Sequence, residues 1–190
     1  MITLLLASML VLTTTQDDAP IQLAPATQFQ TPEVRLAERL DALAEADAVA
    51  AVQLVDEIRA LWNNSGSDTT SLLMDRGRVA EAAGSPEIAA RMFDHVTARS
   101  PEFAEGWLAA GRIAAAMEDW PYALETLNTA LTIEPRRFDA YMTIGAVLES
   151  AGEIEAALRA YQQALEIYPA FEAALIAQAR LTEALSGQAL

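Results

Sequence analysis

The sequence predicts an all-α fold, a right-handed α-solenoid of antiparallel helix pairs. Three observations predict it. Three columns of residues recur at a spacing of 34: Gly77, Gly111 and Gly145; Ala89, Ala123 and Ala157; Pro101, Pro135 and Pro169. Self-similarity at such a period marks stacked repeats. Larger residues keep the same register, as Leu73, Trp107 and Tyr141, and as Phe93, Leu127 and Tyr161. Small residues let two helix backbones approach, large ones fill the gap between them, and Pro ends the second helix of each pair. The composition agrees. Apolar residues make up 53% of the chain, enough for a core, and Ala and Leu, which lose little side-chain entropy in a helix, dominate.

The elements follow in order. Residues 1–16 begin with an uncharged apolar run, Met1 to Leu12, which spans about 17 Å as a helix against a hydrocarbon core of about 30 Å. That length fits the apolar centre of an export signal, and no stable membrane span is expected. Residues 17–31, with Pro20 and Pro25 and no helical period, read as a flexible linker. Thr31-Pro32-Glu33 is an N-cap, a first-turn Pro and an acidic first turn. Leu36, Leu40 and Leu43, then Ala51, Val55, Ile58 and Trp62, give residues 32–65 as a degenerate first helix pair. Asn63 to Asp68 is a turn cluster, with Asp68 expected to cap the next helix. Residues 66–171 hold three repeats, near 70–103, 104–137 and 138–171. Within them Pro86 and Pro121 start second helices, and Gly152 supplies positive φ in a turn. Residues 172–186 form a final helix that caps the stack.

The repeats have a recognisable pattern: a large residue, Gly four later, Ala twelve after that, then large, small and Pro. The segments Ala104 to Pro135 and Asp139 to Pro169 carry it best. This pattern resembles the tetratricopeptide repeat. The resemblance covers a little over half the chain. It implies protein or peptide binding in a concave groove lined by the first helix of each repeat.

Charge and residue types exclude other classes. The net charge is −15 and all twelve basic residues are Arg, so no clustered cationic surface awaits nucleic acid. There is no Cys and one His, His95, which gives no metal set. A phosphate loop of the P-loop type needs Lys, which is absent. No cofactor, metal or catalytic residue is expected, and the chain is read as not an enzyme.

The candidate partner-binding residues lie on the first helices: Met74, Arg78 and Glu81; Leu108 and Arg112; Met142 and Glu149. Met74, Leu108 and Met142 form an apolar line that suits varied side chains. Arg78 and Arg112, one repeat apart, are placed to grip a carboxylate together. The expected function is a non-catalytic interaction scaffold or assembly factor in the bacterial periplasm. The alternative is a cytosolic secretion chaperone of the same repeat class.

Overall fold

In a computed structural model of the chain, residues 31–188 are described. The expected export segment and linker of residues 1–30 lie outside them. Among the described residues the regular structure is nine α-helices and no strand: α1 Pro32–Glu45, α2 Ala48–Trp62, α3 Asp68–Ala82, α4 Pro86–Arg99, α5 Ala104–Ala116, α6 Trp120–Ile133, α7 Phe138–Ser150, α8 Ile154–Ile167 and α9 Glu172–Gln188. The architecture is an all-α solenoid. No helix among the described residues is long and apolar enough to cross a membrane.

Local chemistry sets the helix starts. The Thr31 hydroxyl accepts from the Val34 N–H, and the Asp47 carboxylate accepts from Val49 and Ala50 at 3.0 and 2.8 Å. Each satisfies backbone donors that the first turn leaves open. The cap of α3 is Ser67, whose hydroxyl accepts from Thr70, whereas Asp68 sits inside the first turn. There its charge faces the positive end of the helix dipole instead of bonding as a cap.

Helices α3 to α8 pair as α3–α4, α5–α6 and α7–α8, and each pair packs on the next. The glycine column explains the closeness within pairs. A Cβ on Gly111 would lie 2.6 Å from Leu127 Cγ, and Gly77 and Gly145 are covered in the same way by Phe93 and Tyr161. The alanine column at 89, 123 and 157 is fully buried.

The first helix pair departs from the periodic picture. It does not stack on α3 as a first repeat would. Leu40, Leu43, Val55, Ile58 and Trp62 share a core with Phe138, Ala164 and Ala174, and no residue of α3 belongs to that cluster. The hairpin therefore folds back onto the junction of α7, α8 and α9. Arg136 Nη1 reaches Asp41 Oδ1 at 2.6 Å and fastens the rim of this contact. The α3–α4 face that a first repeat would have covered stays open, with Leu72, Val79 and Ile88 exposed.

Candidate functional site: a charged groove closed by the first helix pair

The first helices of the repeats, α3, α5 and α7, line a cavity of about 430 Å³, and the end of α2 closes it. Arg78 comes from α3; Glu105, Leu108 and Arg112 from α5; Asp139, Met142 and Thr143 from α7. Helix α2 contributes Arg59 and Trp62, followed by Asn63. Arg137 and Phe171 complete the lining from the residues just before α7 and α9. Four arginines face two carboxylates there, so the lining is cationic within a chain of net charge −15.

The centre of the site is Arg137, 1% exposed. Its Nη2 donates to Glu105 Oε2 at 2.6 Å and to Asp139 Oδ2 at 2.8 Å, and its Nε donates to Asp139 Oδ1 at 3.0 Å. Burial opposes the charge, but the bonds to Asp139 and Glu105 outweigh it and hold the guanidinium above its ordinary pKa. The guanidinium carbon also lies 4.3 Å from the centre of the Trp62 ring. Beneath it, Phe138, Tyr168 and Phe171 form an aromatic shelf. Phe138 sits 5.3 Å from Trp62 and from Tyr168, and Tyr168 stacks on Phe171 at 5.3 Å.

Of the seven candidate residues, Arg78, Leu108, Arg112 and Met142 meet in this cavity. Met74, Glu81 and Glu149 do not line it. Met74 is 2% exposed and packs in the core of the first repeat with Phe93 and Ile113, so it offers a partner no surface. Leu108 is equally buried, and Met142 is half-buried against the hairpin and α8. The apolar line is thus largely consumed by packing. A methionine or leucine facing neighbouring helices on both sides gains more from burial there than from waiting at the surface.

The two arginines are engaged as well. Arg78 bonds Glu105 at 3.2 Å and reaches Asn63. Arg112 pairs with Glu81 of the preceding repeat at 2.7 Å. The same relation recurs farther on, where Arg180 grips Glu149, with Nη2 to Oε2 at 2.8 Å. These are ladders between repeats, 31 residues apart in both cases. Arg180 holds the Glu149 carboxyl below its usual range, helped by the Tyr161 hydroxyl. Burial, with that bond to Glu149, pushes the Tyr161 phenol up to about 12.

Sequence reasoning missed Arg59, Trp62, Arg137 and Phe171. A signal for Arg137 was present. It stands in a column with Phe103 and Phe171, at the same spacing of 34, and so takes the place of a buried ring. Trp62 stands 34 residues before Val96, Ala130 and Ala164, which marks it as a packing residue, and nothing in that register marks it or Arg59 as part of a cavity. The guanidinium of Arg59 has no hydrogen-bond or ion-pair partner among the described residues and is free to meet an anion.

Comparison with known proteins adds to this geometry. Residues 74–135 and 138–171 match family descriptions of the tetratricopeptide repeat. A TPR repeat-containing protein of Rhizobium etli is 32% identical over 155 residues, covering 79% of this chain and 76% of that protein. The crystal structure of MamA superposes with a TM-score of 0.59 at 21% identity, covering 81% of this chain and 83% of the other. The first TPR domain of Spaghetti, solved with the HSP90 peptide SRMEEVD bound, gives a TM-score of 0.59 at 18% identity, covering 62% of this chain and 93% of that domain.

Proposed function

The chain belongs to the tetratricopeptide-repeat family, and from that premise we propose that it is a non-catalytic interaction scaffold or assembly factor of the bacterial periplasm. In this reading it holds an acidic peptide segment along α3, α5 and α7. The observation that carries it is the cationic cavity lined by those helices in an otherwise acidic chain. Arg59, which has no acidic partner among the described residues, is available to a carboxylate, and the half-exposed Arg112 reaches one by sharing its guanidinium with Glu81. Arg78 contributes its charge while staying bonded to Glu105. The acidic peptide bound by the TPR domain of Spaghetti supports the same class of ligand. The lining offers paired arginines and carboxylates, which suits the binding of a charged segment.

The periplasmic part of the proposal rests on the apolar run Met1 to Leu12. Fractionation of cells expressing a C-terminally tagged chain tests it. Release of a shortened product with the periplasmic fraction supports export, and full-length protein confined to the cytosol favours the secretion-chaperone reading. For the groove, the tagged chain is used to capture partners from envelope and cytosol fractions beside a variant carrying Arg59→Glu and Arg112→Glu. A charge-assisted bond is worth about 1.5–3 kcal/mol, so affinity for a captured acidic segment falls at least about tenfold. Equal capture by both proteins places binding elsewhere and defeats the groove reading.

A further inference from the structure

The outer face of α3 is a stacking face that no other helix pair covers among the described residues. The period of 34 shows what such a face does elsewhere. Positions 72, 75, 76 and 79 of α3 correspond to Gly106, Ala109, Ala110 and Ile113 of α5, and to Ala140, Thr143, Ile144 and Val147 of α7. In α5 and α7 this face meets the preceding repeat. A Cβ on Gly106 would lie 2.5 Å from Val96 Cγ1, and Ala109, Ala110 and Ile113 share a core with Ala89 and Phe93 of α4. Ala140 and Ile144 share one with Leu127 and Ala130 of α6. Ile113 and Val147 are 2% and 3% exposed, whereas Leu72 is 50% exposed and Val79 70%.

The face of α3 is not shaped for one more repeat. Where α5 has Gly106, Ala109 and Ala110, it carries Leu72, Asp75 and Arg76, which keep a helix from seating as closely as α4 does on α5. What it carries is complementary to itself. Its exposed residues form two ridges at a spacing of four, Asp68, Leu72 and Arg76 beside Asp75, Val79 and Ala83. A two-fold axis passing between residues 75 and 76 lays α3 antiparallel to the α3 of a second copy. Leu72 then faces Val79 of the second copy, Arg76 faces Asp75 of the second copy, and the symmetry makes each contact twice. Both charges are open to such a mate. Arg76 has no hydrogen-bond or ion-pair partner among the described residues. The Asp75 side chain is 71% exposed and meets Arg78 at 3.8 Å, the edge of ion-pair range. Between α3 and α4 a cavity of about 380 Å³, lined by Val79, Ala80, Ala83 and Ile88, receives the Leu72 side chain of the second copy. Asp75 and Arg76, which also line that cavity, bring one charge of each sign, so a chain of net charge −15 meets itself there without repulsion.

We propose that the chain forms a two-fold dimer through the outer faces of α3, with Leu72 against Val79 and Asp75 against Arg76 of the second copy. The cavity on this face shares no residue with the groove cavity, so the dimer and the peptide groove stand or fall separately.

Sedimentation equilibrium of the full chain, from micromolar to submillimolar concentration, tests it. The wild type should pass from monomer to dimer. Asp75→Arg sets two cations against each other at the contact, and Arg76→Asp sets two anions, so each variant alone should associate at least about tenfold more weakly. Mixed together, the two variants bring opposite charges to both contacts, and a heterodimer at least as tight as the wild-type dimer should form. Both positions are exposed, so the fold should be untouched, and thermal melts matching the wild type check this. A wild type that stays monomeric throughout overturns the proposal. So does a dimer that both single variants keep at wild-type strength, or a mixture no more associated than either variant alone. A monomeric wild type that captures another protein, and loses it on Val79→Glu, gives the face to a different partner. A monomer whose α3 amides lose exchange protection when residues 1–30 are removed gives it to that segment. Either result sinks the second copy.

Discussion

At the scale of single residues, the repeats expose where the chain departs from its own rule. The turn inside each pair contains a residue of positive φ, Gly84 at +67°, Glu118 at +61° and Gly152 at +82°. Only the middle repeat places a side chain there. A left-handed conformation costs a non-glycine residue about 1–2 kcal/mol, so Glu118→Gly should stabilise the protein by about 1 kcal/mol in urea unfolding. The glycine column works in the opposite sense. Gly111→Ala would press a methyl against Leu127 and Thr126 in a buried seam. Destabilisation by about 1–3 kcal/mol is expected in the same assay, since the overpacked pair must shift apart. Arg137 is the third such residue. Its removal as Arg137→Ala strands Glu105 and Asp139 beside a void and should cost about 3–5 kcal/mol. Arg137→Phe fills the void with the ring found at positions 103 and 171 but leaves the same two carboxylates without their cation, so it should recover only the packing part of that loss, and paired thermal melts of the two variants check the contrast.

At the scale of helices, the ladder of ion pairs makes the last helix sensitive to acid. Glu149 binds Arg180 of α9, and its carboxyl is depressed in the folded chain. A depressed carboxyl contributes stability above the unfolded pKa, about 4.3, and that contribution is lost as pH falls through the folded value. The amides of α9 should therefore exchange faster, relative to α5, as pH drops from 5 toward 3, after correction for intrinsic rates. Glu149→Gln should abolish the difference between these pH values. Helices were also the scale at which the sequence was most readable. Gly77, Gly111 and Gly145 face Phe93, Leu127 and Tyr161 because each pair solves one local packing problem, and repetition prints the solution three times. The candidate site was legible only in part. Arg78 and Arg112 were found from their spacing, but their engagement by Glu105 and Glu81 depends on how one repeat rotates on the next. The seat of α1 and α2 was not readable. It joins Asp41 to Arg136 and Trp62 to Phe138 by contacts that occur once and obey no period.

At the scale of the whole molecule, a stack of repeats normally leaves its two ends far apart, because each unit touches only its neighbours. Here the first pair is tied to the last, and the contact bridges some of the largest sequence separations in the fold. Arg136 lies 95 residues from Asp41. That feature bears on the order in which the protein is made. Helices α3 to α8 need only adjacent partners and can settle as each emerges in turn. The hairpin is synthesised before all of them, yet Phe171 and Ala174, on which it rests, come more than a hundred residues later. At about 5–20 residues per second, α1 and α2 wait roughly 5–20 s for their seat to exist. The first of the described helices to be made are thus the ones that wait longest for a place.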